Sequence, residues 1–205
     1  MNQKGKYIIE NLFVDDFVEY EPRIIHLEEQ EDSGKSWLEI QLGNDDNLSI
    51  KNVDMKNTYM YYFKDDKGLS MNKRVDHIIF EHVSENDWKL HLIEMKSSVG
   101  IKKWMEIKGK FRASYLLAQG IAAMLELNIV STQMYTSYEK VQLEVSAAST
   151  IERRLQVGDH HVKPEEEWDG GKFALNLGER INFEHTPIQM IRNEEDILIG
   201  HWMMM

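Results

Sequence analysis

Apolar residues recur at helical spacing near the start of the chain. Ile8, Ile9, Leu12, Phe13 and Phe17 fall on one face of a helix read over residues 3–20, which Pro22 helps to end. An acidic loop, EEQEDSGK, follows. Three short runs then have strand character: SWLEIQL (36–42), NLSIKNV (47–53) and TYMYYFK (58–64), each bounded by Asn, Asp or Gly. Two stronger strands come next, RVDHIIFEHV (74–83) and WKLHLIEMKS (88–97), joined by SEND (84–87), which predicts an antiparallel hairpin. From Ile101 to Leu127 the residues Trp104, Ile107, Phe111, Tyr115, Ala118, Ala122 and Leu125 keep close to a 3.6-residue period, so a long helix is expected, with Asn128 as its stop. Strands are expected at 129–137 and 140–146. The pattern changes over 150–205, where GDHHVKPEEEWDGG precedes two strand-like runs, FALNLG and RINFEH, and the chain closes on HWMMM. The division read from this is a core over 1–149 and a β-containing extension over 150–205 that serves packing or a partner or oligomer interface.

Composition narrows the chemistry. A chain of 205 residues, 42% hydrophobic and 29% charged, can build a core without staples. The absence of cysteine excludes disulfides, thiolate zinc sites and a cysteine nucleophile, and fits a cytoplasmic location. No apolar run is long enough to span a membrane, and the N-terminus lacks the apolar stretch of a signal peptide. There is no phosphate-binding P-loop, no dinucleotide fingerprint and no serine nucleophile elbow. The net charge of −11 argues against a protein that simply coats nucleic acid. The charge is uneven, however. Lys102, Lys103, Lys108, Lys110 and Arg112 face Glu106 alone within one stretch of the long helix, and Lys73 and Arg74 precede Asp76. Such a strip can follow a phosphate backbone, or can be an ordinary solvated helix face.

The hairpin carries the sharper signal. Glu94 and Lys96, two residues apart near the end of an apolar strand, share one face of it, and Asp76 opens the partner strand. Two carboxylates and a backbone carbonyl can hold a hard divalent ion, and a lysine beside them can orient water and stabilise charge on a phosphate. Three other acid-x-Lys tripeptides compete. Asp54-Lys56 has no such context, Asp65-Lys67 lies in a polar turn, and Glu106-Lys108 lies in the helix, where such residues point apart. The bland alternative is an ion pair at a strand end. Register tests the two readings. If SEND is a simple four-residue loop, Val83 pairs with Trp88 and Asp76 falls opposite Met95, turned away from Glu94. A shared site requires an odd loop or a bulge between Asp76 and Glu94.

The segment RVDHIIFEHVSENDWKLHLIEMKSS, followed by a basic helix, resembles the core of the PD-(D/E)XK phosphodiesterase superfamily over roughly residues 5–146, with Val75 where the motif has proline. The resemblance implies an α/β fold with a restriction-endonuclease-like core, a central mixed β-sheet flanked by helices. It implies Mg2+ or Mn2+ held by Asp76, Glu94 and the Met95 carbonyl, with Lys96 as catalytic lysine. It also implies an acidic residue from the first helix, Glu10 ahead of Glu19. The implied activity is a nuclease acting on DNA or RNA in restriction, phage defence or a mobile element, as a homo-oligomer or within a larger complex. The alternative is an inactive nuclease-fold subunit that binds nucleic acid or assembles. Lys103, Lys108, Lys110, Arg112, Lys73 and Arg74 are the expected nucleic-acid contacts. Tyr115 and Gln119 reverse the Q-x-x-x-Y order of one subgroup. His77 and His91 on the central strands are expected to be structural, His160 and His161 lack the spacing of a zinc site, and the tyrosines at 59–62 can stack bases or serve as core.

Overall fold

The computed structural model describes residues 1–31, 34–51, 53, 60–63, 69–143, 155–157 and 160–204. The first helix, α1 (Gln3–Asn11), starts on Asn2, whose side chain accepts from the Gly5 amide at 2.8 Å. Gly5 lets it lie close to the end of the long helix: a Cβ there would stand 3.0 Å from the Leu125 carbonyl oxygen. The helix expected over 3–20 therefore ends early. The Asp15-Asp16 stretch turns the chain, with Asp16 at φ 61°, and β1 (Val18–Glu21) begins. Phe13 and Phe17 still meet, edge to face at 5.3 Å, across that turn. Much of the expected acidic loop is a hairpin instead, β2 (Ile24–Glu31) against β3 (Gly34–Gln41), because Ile25 and Leu27 alternate inward.

The remaining strands are β4 (Asn47–Ile50), β5 (His77–Ser84), β6 (Asp87–Met95), β7 (Ser98–Gly100), β8 (Asn128–Tyr138), β9 (Lys140–Gln142), β10 (Leu155–Val157), β11 (His160–Val162), β12 (Lys172–Asn176), β13 (Arg180–Gln189), β14 (Ile191–Arg192) and β15 (Leu198–Met203). Among the described residues the further helices are α2 (Ile101–Leu125) and α3 (Pro164–Asp169). Glu126, at φ 58°, caps α2 in the left-handed region, while Asn128, the expected stop, already opens β8. Of the strand expected at 58–64, only 60–63 are described; they are not a strand, and Tyr61 and Tyr62 are exposed. Asp54-Lys56 and Asp65-Lys67 lie outside the described residues.

Seven strands form a mixed sheet in the order β1-β4-β5-β6-β8-β13-β12. Pairing is antiparallel from β1 to β6 and parallel through β6, β8 and β13. The parallel step from β6 to β8 needs a crossover, and α2 supplies it. The buried side of α2, with Trp104, Ile107, Phe111, Ala118 and Leu125, packs on Leu48, Ile78, Phe80, Leu90 and Leu92 of the sheet. Among the described residues no helix covers the opposite face. Ile79, Ile93, Met95, Tyr135 and Ile188 pack there on Ile25, Leu38, Ile40 and Leu198 of a four-stranded sheet ordered β14-β15-β3-β2. The expected sheet flanked by helices is thus an α/β/β stack. Residues beyond 150 supply the edge strand β12 and its neighbour β13 to one sheet, and β14 and β15 to the other. The closing HWMMM is divided: Met204 is buried in the second core and Met203 is exposed.

Candidate active site

The register of the central hairpin decides whether Asp76 and Glu94 can meet. His77 pairs with Ile93, Ile78 with Leu92 and His82 with Trp88, after which the register shifts and Ser84 pairs with Asp87. Val83 is the extra residue, a bulge beside a two-residue loop of Glu85, at φ 43°, and Asn86. One step beyond the His77–Ile93 pair lie Asp76 and Glu94, on the face that also carries Ile78, Leu92 and Phe80 and looks toward α2.

Local contacts fix the approach to Asp76. The Val75 amide donates to Ser114 Oγ of α2 at 2.9 Å. Arg74 is 1% exposed and donates through Nη1 to the Met71 carbonyl at 3.0 Å and through Nε to the Val53 carbonyl. Asp76 Oδ2 accepts the Met95 amide at 2.7 Å, tying the two strand ends together. At β6, the Lys96 amide donates to the Ser137 carbonyl at 3.0 Å, so the ladder with β8 runs on through the motif.

Two lysines converge on the carboxylates. Lys96 Nζ lies 3.0 Å from Glu94 Oε1, 3.5 Å from Asp76 Oδ2 and 2.6 Å from the Met95 carbonyl oxygen. Lys110 Nζ, from α2, lies 2.6 Å from Glu94 Oε1 and 3.4 Å from Asp76 Oδ1. The Glu94 side chain has no exposed surface, and its Oε2 is buried without a hydrogen-bond partner. Burial pushes the Glu94 carboxyl up to about 7, Asp76 adds to the rise, and Lys110 and Lys96 oppose it. Burial pulls Lys110 down, but Glu94 and Asp76 outweigh it and hold its ammonium above the ordinary lysine value.

The structure redistributes the expected nucleic-acid contacts. Lys108 is buried, bonds both oxygens of Glu167 at 2.7 and 2.8 Å, and lies 5.6 Å from the Phe173 ring centre, so it joins α2 to α3 instead of facing phosphates. Arg74 supports the lead-in to Asp76. Lys110 belongs to the carboxylate pair, a role the sequence reading missed. Its signal was its place one residue before the buried Phe111, on the flank of the inward face. Lys103 is exposed and 3.4 Å from Glu106, Lys73 is exposed, and Arg112 is half-buried with a contact of its own. Glu10 is exposed on α1, where its charge acts on Tyr20, and Glu19 pairs with Lys51 at 3.1 Å. Among the described residues no group of three histidine, aspartate or glutamate side chains is placed to hold a metal ion, so a third acidic ligand is not brought to Asp76 and Glu94.

Of the two histidines on the central strands, His91 sits in a buried network. His91 Nε2 lies 2.8 Å from Glu81 Oε2 and its Nδ1 3.3 Å from the Tyr135 hydroxyl; burial lowers its pKa against the pull of Glu81. His77 points to the sheet face away from α2. Tyr115 and Gln119 line an open cleft of 660 Å³ with Ser131, Thr132 and Arg180. That cleft lies toward the start of β8, whereas Glu94 pairs with Thr136 near its end. Among the described residues no helix is long and apolar enough to cross a membrane. No protein-family model, curated protein or solved structure matches the chain.

Proposed function

We propose that this chain is a metal-dependent nuclease of the PD-(D/E)XK kind, with a restriction-endonuclease-like core, hydrolysing phosphodiesters of DNA or RNA in restriction, phage defence or a mobile element. The observation that carries the reading is the meeting of Asp76, Glu94 and Lys96 at one end of β5 and β6, made possible by the bulge at Val83. The order α1, β4, β5, β6, α2, β8 agrees with it.

The residues suit a hard divalent ion. Glu94 Oε2 is a buried carboxylate oxygen that no protein group satisfies, which is the kind of atom a cation would complete. Asp76, Glu94 and the Met95 carbonyl would hold Mg2+ or Mn2+. When bound, such an ion polarises the phosphate and lowers the pKa of a water. Lys96 is anchored between the strand ends and directs its ammonium at the same point, where it orients the attacking water and balances charge gathering on the phosphate. The water oxygen bonds to phosphorus and releases a proton to solvent, the ester bond to the leaving oxygen breaks, and that oxygen takes up a proton from solvent.

A second reading is a non-catalytic nuclease-fold subunit that binds nucleic acid or assembles. The saturation of Asp76, the Met95 carbonyl and Glu94 Oε1 by two lysines favours it. The discriminating experiment incubates single- and double-stranded DNA and RNA with the full chain and Mg2+ or Mn2+, beside Lys96→Ala and Glu94→Ala. Cleavage by the wild type and its loss in both variants is expected. Cleavage that survives both substitutions removes the mechanism, and no cleavage of any substrate favours the second reading.

A further inference from the structure

Except for Glu94 Oε2, which is left without a hydrogen-bond partner, the two ammonium groups contact the oxygens that the nuclease reading gives to the metal. Lys96 covers the Met95 carbonyl, Glu94 Oε1 and Asp76 Oδ2, and Lys110 covers Glu94 Oε1 and Asp76 Oδ1. Two single positive charges balance two carboxylates, as one divalent cation would. Without them, two carboxylates on one buried face would repel. A divalent ion can reach these oxygens only if an ammonium leaves them.

Geometry decides which lysine leaves. Lys96 is 9% exposed, adjoins Glu94 in β6 and bonds the carbonyl of its own neighbour. Lys110 is 24% exposed and reaches in from α2, and its flexible stem can swing toward solvent without moving the helix. We propose that Lys110 is an exchangeable counter-ion: it holds Asp76 and Glu94 together until a divalent cation replaces it, and its released ammonium then faces the substrate phosphate. This rests on the metal-binding part of the nuclease reading. The exchange is favoured by phosphate. With Lys110 turned out, the ion and Lys96 carry one positive charge beyond the two carboxylates, and an anionic substrate neutralises that excess.

A permanent structural ion pair and an exchangeable one respond oppositely to removal of the lysine. Loss of a structural pair loosens the carboxylates and weakens metal binding, whereas loss of a competitor strengthens it. Mn2+ binding to the full chain is measured by calorimetry at pH 8 for wild type, Lys110→Met, Lys110→Gln, Lys103→Met and Asp76→Asn, each checked by thermal melting. Mn2+ affinity should rise about tenfold or more in both Lys110 variants, following the removal of a unit charge a few ångströms from the ion. It should stay at the wild-type value in Lys103→Met and be lost in Asp76→Asn. Equal or weaker binding in both Lys110 variants, with Asp76→Asn still defective, overturns the exchange and leaves the metal site standing. Absence of Mn2+ binding in every protein, or binding untouched in Asp76→Asn, overturns the metal site and the exchange with it.

Discussion

Glu94 is enclosed on all sides at the end of β6, with Asp76 close by and two lysines on a single oxygen. Its carboxyl is held near 7 against 4.5 for an ordinary glutamate, mainly by burial. Because the folded state binds the proton more tightly than the unfolded chain, the stabilisation is complete below about pH 4.5 and is lost as pH rises through about 7. At 1.36 kcal/mol per pH unit this is worth roughly 3 kcal/mol. Glutamine imitates the protonated acid and does not titrate. In the absence of divalent ions, the wild-type melting temperature should therefore fall between pH 5 and pH 8. Glu94→Gln should fall less, the gap widening by about 2–4 °C per kcal/mol for a chain of this size. Melting curves across that range check it, and parallel pH profiles would show that Glu94 is not the titrating group.

At the scale of elements, α2 is what binds the site to the fold. Its Ser114 holds Val75, its Lys110 meets the carboxylates, and Lys108 with Trp104 grips Glu167 of α3. The helix itself was legible because one face is buried along its length and its apolar period is unbroken. The role of its lysines was not. Lys108 looks like a surface cation until Glu167, 59 residues away, is folded against it, and Lys110 until Glu94 is. The excess length read into α1 has a similar origin, since Phe13 and Phe17 meet across a turn at a spacing that a helix would also give. Glu94 and Lys96 were legible because strand alternation is local, but the alignment of Asp76 needed the bulge at Val83, and nothing in its side chain announces one. The buried pair is open to test. Glu167→Gln leaves the Lys108 ammonium without its counter-charge, and removal of one partner from such a pair costs about 3–5 kcal/mol. Urea denaturation should show a loss of that order, partly recovered in Lys108→Met with Glu167→Gln. A loss under about 0.5 kcal/mol, the range of ordinary surface substitutions, would show that the pair does not hold α3 to α2.

For the whole molecule, charge limits how nucleic acid can be held. The net charge is −11, and of the six cations expected to contact a phosphate backbone, Arg74 and Lys108 are buried in structural contacts while Lys110 is drawn to Asp76 and Glu94. Of the other three, Lys73 and Lys103 are exposed and Arg112 is half-buried, and Lys102, next to Lys103 on α2, is exposed as well. Binding that depends on so few surface cations releases few counter-ions, and each phosphate contact adds about 0.9 to the slope of log affinity against log salt. Without divalent ions, a short DNA duplex should therefore bind weakly, with a slope of roughly −3 or shallower. Addition of Mg2+ or Mn2+ should strengthen binding, because it adds positive charge at a place where the two lysines at most balance Asp76 and Glu94. Fluorescence anisotropy over a salt series, run on Lys96→Ala so that the duplex stays intact, measures both effects. A metal-free slope steeper than about −5 would mean that a surface other than α2 and the lead-in to β5 carries the nucleic acid. Binding indifferent to the divalent ion would mean that the backbone does not pass over Asp76 and Glu94.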